Sequence, residues 1–235
     1  MKIIGISGRK QAGKNTVANY INGCILKQRG AVKDFNITSN GELEILTSNA
    51  HGEIAWGIFD VTRKDHDFAS YAEKELWPFV KIYHFADYLK QMCVDLFDLS
   101  PQQVYGTDDD KNTQTQYNMT AREFLQYFGT NIMRSIKDTV WVDYTIKLIK
   151  NEQPLLAIIP DVRFPNEVYA IQQAGGEVLR LDRNVFNSDH QCEQALDADK
   201  FDWNKFDHII SNESMTVENL KIELQKSSHI WSTEC

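Results

Sequence analysis

The sequence has no paired cysteines, no excess of positive charge, little proline and no apolar run of membrane-spanning length, and each absence removes a class of protein. None of its apolar stretches approaches the ~20 residues of a transmembrane helix, so no membrane partner is expected. Cys24, Cys93, Cys192 and Cys235 show no C-x-x-C spacing and no secretory signal precedes them, which predicts free thiols in a reducing, cytoplasmic setting. With 25 basic against 33 acidic residues the net charge is -8, which argues against non-specific nucleic-acid binding while leaving room for a local basic pocket. Only 5 prolines and 12 glycines in 235 residues, beside 42% hydrophobic content, exclude a disordered or low-complexity chain. The expectation is one domain across 1–235 with an insertion at about 30–78, acting on a small molecule.

What is present begins with GRKQAGKNT, Gly8 to Thr16, directly after the apolar run MKIIGIS and before TVANYINGCIL, whose apolar positions recur at helical spacing. Strand, glycine loop and helix in that order form the phosphate-binding-loop pattern, with Gly8, Ala12, Gly13, Lys14, Asn15 and Thr16 as its members. Glycines let backbone N–H groups converge, the helix start adds positive potential, and Lys14 can reach the β- and γ-phosphates of ATP or GTP. The residue after the lysine is usually Ser or Thr, whose hydroxyl binds Mg²⁺; here it is Asn15, with the first hydroxyl at Thr16. Either could hold the metal.

Further along, NGELEIL and GEIAWGIFDV read as a β-hairpin joined by TSNAHG, and TRKDHDFASYAEKELWPF as a short helix or irregular lid. VKIYHFA is a strand, DYLKQMCVDLF an amphipathic helix, and TDDDKNTQTQYN a polar, mobile loop. TAREFLQYFGTNIMRSI opens with a capping box between Thr120 and Glu123, and WVDYTIKLIKN is another helix. LLAIIPD reads as a buried parallel strand, Pro165 opens a helix that Gly175 and Gly176 close, and EVLRLD, FDHIISN and TVENLKIELQKS supply two strands and a last helix. The alternation predicts an α/β, three-layer P-loop NTPase fold with a mostly parallel sheet, plus the inserted β-hairpin or lid segment, and ligands beyond the carboxyl ends of the strands.

Asp161 ends a buried strand with Arg163 and Glu167 just beyond. Such an acid can hold Mg²⁺ through water or accept a substrate hydroxyl, and Arg163 suits a phosphate; alternatively Asp161 caps the next helix. Arg122 lies in the first turn of its helix and Arg134 further on, with Gly129 and Thr130 between; a glycine inside a good helix suggests a ligand's close approach or a break. Trp141 and Phe128 are more often core than stacking platforms. Lys10 and Arg63 could meet a second phosphate. The cluster DHQCE, Asp189 to Glu193, lacks structural-zinc spacing.

Taken together, GRKQAGKNT, FADYLK, TAREFLQYFGTNIMR with Trp141, IIPDVRFPNE and HIISNES resemble the phage deoxynucleoside monophosphate kinase family. The combination of R-E-x-L-Q-x-x-G-T with D-V-R-F-P-N-E is the specific part. The resemblance implies transfer of the ATP γ-phosphoryl group, with Mg²⁺, to the 5'-phosphate of a deoxynucleoside monophosphate, in the host cytoplasm if the chain is phage-encoded. It implies that Gly13, Lys14, Asn15 and Thr16 bind ATP phosphates, while Arg122, Gly129, Thr130, Trp141, Asp161, Arg163 and Glu167 line the monophosphate site. The insertion is expected over the acceptor as a lid or base-recognition element. A homodimer fits enzymes of this sort, although the sequence carries no interface signature.

Other readings are a different small-molecule kinase on this fold, such as a dephospho-coenzyme A or phosphomevalonate kinase, where Asp161 would serve as base. A nucleotide-bound interaction protein without turnover is favoured only by Asn15. A nucleic-acid end-processing enzyme sits poorly with an acidic chain.

Overall fold

The computed structural model describes residues 1–48, 53–61, 66–183, 194–212 and 216–232. Arg63, the DHQCE cluster, Cys192, Cys235 and most of the TSNAHG link lie outside the described residues. The chain divides into two compact units, Met1–Tyr83 with Leu148–Cys235, and His84–Lys147.

The first unit is built on a five-stranded sheet in the order β5-β6-β1-β7-β8, where β1 is Lys2–Ser7, β5 Val80–Ile82, β6 Leu156–Val162, β7 Glu177–Asp182 and β8 His208–Ser211. Every neighbouring pair is parallel. Alternation along β1 serves two faces. Ile4 and Ile6 join Val17, Ile21 and Ile25 of α1 (Lys14–Gln28) in one buried cluster. A side chain at Gly5 would press on Ile171 of α8 (Pro165–Gln173), so glycine lets that helix close on the strand. Helices on both faces explain why β6 is almost continuously apolar and buried. The last helix, α9, is Val217–Lys226. Among the described residues no helix is long and apolar enough to cross a membrane.

Pro160 stands in the interior strand β6, where a missing N–H would normally cost a ladder bond. Tyr83 N–H donates to Ile158 O (2.8 Å), and Ile82 is the last residue of β5 paired with β6. Two residues on, the N–H that Pro160 lacks would face the side where β5 has ended. On the other side the pairing with β1 slips, Gly5 opposing Ile159 and Ser7 opposing Val162. This bulge falls next to Asp161 and re-aims the strand end that carries it.

The insertion holds more structure than a hairpin. Its antiparallel sheet has the order β2-β3-β4, with β2 Asp34–Ile37, β3 Leu43–Ser48 and β4 Ile54–Ile58; the sequence reading missed β2. Val32, Ile37, Leu43 and Ile45 belong to the same core as α1. Phe35 lies so close over Gly23 that no side chain would fit there, and Tyr20 meets its ring edge-on at 5.7 Å. β2 and β3 are therefore part of the core. The following stretch, read as helix or irregular lid, holds helix α2, His66–Glu75.

The second unit is helical: α3 Asp87–Phe97, α4 Pro101–Tyr105, α5 Asp108–Lys111, α6 Ala121–Gln126, the π-helical turn Tyr127–Arg134, and most of α7, Val140–Glu152. The expected mobile loop TDDDKNTQTQYN is corrected here, because its first half folds as α5. Thr107 caps that helix, its hydroxyl accepting from Asp110 N–H (3.2 Å) while the Asp110 carboxylate accepts from Thr107 N–H (2.7 Å). Hydrogen bonds from Thr107 and Gln102 hold the Asp110 carboxyl below the usual carboxylate range.

Candidate active site

The loop between β1 and α1 is shaped by its main chain. Gln11 at φ 63° and Gly13 at φ 96° take left-handed conformations, and Gly13 is the cap from which α1 starts. Ala12 N–H donates to Arg9 O (3.1 Å) and Val17 N–H to Gly13 O (3.0 Å). The Lys14 ammonium folds back across the turn, donating to Gly8 O (2.7 Å) and Arg9 O (2.8 Å). Carbonyl oxygens are weaker partners for an ammonium than phosphate oxygens, so an incoming anion at the helix start competes for this charge.

Two groups that sequence reading passed over hold the loop in place. Asn212, just past β8 and 1% exposed, donates its Nδ2 to Ala12 O (2.9 Å), and its own N–H donates to Asp182 O (2.8 Å). A polar residue immediately after an apolar strand was the available signal. The other is Arg9, whose Nε and Nη2 fork onto Asp197 at 3.0 and 2.6 Å. Arg180, 5% exposed, reaches the same carboxylate at 3.9 Å, donates to Ser7 Oγ (3.1 Å) and stacks on Trp203 at 4.9 Å. Two guanidiniums thus meet one carboxylate beside the loop. The bonds from Asn212 to Ala12, Arg9 to Asp197 and Arg180 to Ser7 join residues 200, 188 and 173 positions apart, so spacing gives no hint of them.

The remaining first-unit candidates separate by exposure. Lys10 and Asn15 are exposed. The Thr16 hydroxyl sits against Gly41, in the turn that joins β2 to β3 and leaves no room for a side chain there. Asp161 and Arg163 are half-buried at the carboxyl end of β6 and just beyond it. Glu167, 2% exposed, caps α8, its Oε2 accepting from Arg163 N–H (2.7 Å) and Phe164 N–H (3.0 Å). Glu167 thus acts on the backbone that carries Arg163.

In the second unit the Thr120 box forms as expected, with the Glu123 carboxylate accepting from Thr120 N–H (2.7 Å) and held below its ordinary range by that bond and by the Thr120 hydroxyl. It fixes the turn carrying Arg122, whose Nε donates to Asn112 Oδ1 (3.0 Å) and Nη2 to Asp108 Oδ1 (2.8 Å). Gly129 sits where the helix widens into its π-turn, and a side chain there would lie 2.5 Å from Leu89. The break and the close approach both occur, the approach being by a leucine. Trp141 is 4% exposed and donates Nε1–H to Gly129 O (3.1 Å), which ties it to the core beside the π-turn. Thr130 is exposed and Arg134 half-buried on the same turn.

A family model for deoxynucleotide monophosphate kinase matches residues 79–224, more than half of the chain. The chain belongs to that family. A protein of Acanthamoeba polyphaga mimivirus, named as a deoxynucleotide monophosphate kinase, is 33% identical over 153 residues, 57% of this chain and 75% of that protein. The deoxynucleoside-5'-monophosphate kinase of Escherichia phage T5 is 27% identical over 138 residues, 54% of this chain and about half (52%) of the phage protein. The family match takes in Arg122, Gly129, Trp141, Asp161, Arg163 and Asn212. The phosphate loop lies outside it, so membership and loop geometry are separate observations.

Proposed function

We propose that the chain transfers the γ-phosphoryl group of ATP to the 5'-phosphate of a deoxynucleoside monophosphate, giving the diphosphate and ADP. The observation that carries this reading is the Lys14 ammonium held across the glycine loop at the start of α1, in a chain of this kinase family. The acceptor phosphate is already an anion, so no strong general base is needed; catalysis consists of positioning and of charge neutralisation. Lys14 leaves the carbonyls of Gly8 and Arg9 for the β- and γ-oxygens of ATP, and N–H groups of the loop other than that of Ala12, which donates to Arg9 O, bind the donor phosphates. From the resemblance or from their charge, Arg122, Thr130, Arg134, Arg163 and Lys10 are each assigned a contact to the acceptor nucleotide.

Mg²⁺, bound with ATP, would neutralise charge on the transferring group. Asn15 and Asp161 are the side chains that would hold it. Among the described residues no group of three acidic, histidine or cysteine side chains converges, so phosphate oxygens and water would supply most of its ligands. The substrates are free nucleotides and the setting is the cytoplasm, the host's for a virus-encoded chain.

The test is ADP formation from ATP and Mg²⁺ with each common deoxynucleoside monophosphate, for the wild type and Arg122→Ala. Acceptor-dependent ADP, with a monophosphate KM raised at least tenfold by the substitution, is expected. ADP formation with no acceptor in the set would end the reading.

A further inference from the structure

The helix at the phosphate loop starts without a cap of its own. Gly13 offers no side chain to the first turn of α1, and no acidic residue stands in that turn. A capping carboxylate would occupy the free N–H groups that an incoming phosphate needs, so support for this helix start has to come from its flank. The inserted sheet supplies it. Residues 16, 19, 20, 23 and 27 share one face of α1, and the insertion meets that face along its length. The Thr16 hydroxyl and the Asn19 amide meet Gly41, Tyr20 and Gly23 meet Phe35, and Lys27 Nζ meets Asp34 Oδ1 at 2.7 Å. β2 therefore runs back along α1 and brings the β2–β3 turn to the helix start.

That turn is closed on itself and held on both sides. Thr38 N–H donates to Glu42 O (2.9 Å), Gly41 N–H to Thr38 O (2.9 Å) and Glu42 N–H to Thr38 Oγ1 (3.2 Å). Ile37 and Leu43, which flank it, are 3% and 0% exposed and lie in the same apolar cluster as Val17 of α1. Gly41 takes φ 82°, a left-handed conformation that favours glycine, and its carbonyl accepts from Asn19 Nδ2 (2.9 Å). We propose that the inserted sheet serves the ATP end of the reaction, its β2–β3 turn holding the first turns of α1 through Gly41 and Asn19, which are positioning residues for the donor phosphates.

This placement rests on the proposed ATP reading of the loop and departs from the expectation of a lid over the acceptor. A lid must swing away to admit its substrate, whereas β2 and β3 share a buried core with α1. Lys14 lies about one and a half helical turns from Asn19, so a tilt of the helix start moves its ammonium and the free N–H groups together. The two ends of the contact differ in what they govern. Thr16 and Asn19 stand at the phosphate end. Lys27 and Asp34, about three turns further along the helix, form an ion pair with side chains 51% and 46% exposed, and such a pair contributes little.

The test is calorimetric binding of the β,γ-imido analogue of ATP with Mg²⁺, beside steady-state KM values for ATP and for the monophosphate, on the full chain carrying Asn19→Ala, Asn19→Leu, Gly41→Ala or Lys27→Ala. Both Asn19 variants are expected to weaken the analogue about fivefold, as loss of one hydrogen bond does, with the monophosphate KM within about twofold of the wild type. Gly41→Ala sets a methyl group against the Thr16 hydroxyl and should do at least as much, while Lys27→Ala should change neither constant. Unchanged analogue binding in the Asn19 variants, or a rise in monophosphate KM as large as that for ATP, overturns the proposal. So does an equal loss in Lys27→Ala, which would make the whole contact merely structural. Calorimetry needs no turnover: if the wild type binds the analogue and phosphorylates no monophosphate, the proposed activity falls while the binding comparison still decides this placement.

Discussion

Lys14 and Arg122 are the cations on which the proposed chemistry rests, and the molecule holds them by different means. Lys14 donates to two main-chain carbonyls in a turn whose form is set by Gly13 at φ 96° and by Asn212 beneath it. Arg122 is held by two side chains, Asp108 on a helix of four residues and Asn112 at its C-cap, and that helix is itself fixed by a capping box. A cation gripped by backbone is positioned by the fold as a whole, while one gripped by exposed side chains is positioned locally and can be adjusted one residue at a time. The first arrangement should fail steeply when altered and the second gradually.

The steepest failure is expected for Lys14→Ala. Its charge strengthens its contact as the phosphoryl group transfers, so kcat should fall about 10³-fold while the unfolding temperature stays within a degree or two, as calorimetry would show. Turnover near that of the wild type would remove Lys14 from the mechanism. Next comes Asn212→Ala, which strips the donor from a buried carbonyl. Leaving such a group unpaired costs about 1–3 kcal/mol, so KM for ATP should rise roughly tenfold with the KM for the monophosphate unchanged. An equal rise in both constants would mean that Asn212 supports the whole unit and not the loop.

A smaller change is expected for Trp141→Phe. The ring still fills the core, but Gly129 O loses its partner, and a loss of about 1 kcal/mol should appear as a fall of a few degrees in melting temperature. Leu89 packs where a side chain on Gly129 would stand, so the π-turn should keep its place and monophosphate KM should move less than twofold. A large KM effect with unchanged melting would return Trp141 to the substrate-contact role read from its motif.

Legibility in the sequence followed the same division. The loop could be read because a left-handed turn before a helix admits few residues, and glycine at fixed spacing reports it. The five parallel strands could be read because burial on both faces demands apolar runs such as LLAIIPD. What escaped were contacts whose partners any polar residue might have supplied: Asn212 to Ala12, Arg9 to Asp197, and Asp108 and Asn112 to Arg122. TDDDKNTQTQYN looked like loop because α5 has no buried residue to give it helical periodicity, and its stability comes from its cap. DFNI was missed because only Ile37 of β2 is fully buried, so the strand shows little alternation. The motif glycine Gly129 was recognised as special, but whether ligand or leucine lay against it depended on α3, thirty and more residues earlier.

The gentlest test bears most directly on the comparison. Asp108 and Arg122 form a surface pair, their side chains 65% and 40% exposed, and such pairs contribute about 0.2–1 kcal/mol. Asp108→Ala should therefore raise monophosphate KM only two- to fivefold, leave kcat and KM for ATP alone, and lose its effect as salt screens the pair. Asn112→Ala should act less, since a neutral acceptor gives a weaker bond than a carboxylate. The double variant should approach Arg122→Ala only if both anchors are needed to aim the guanidinium. Thr107→Val supplies the control, because it unseats the cap of α5 without removing either anchor. Should it alone reproduce the loss, the helix and not the pair positions Arg122, and the second unit would grip its cation through structure much as the phosphate loop grips Lys14.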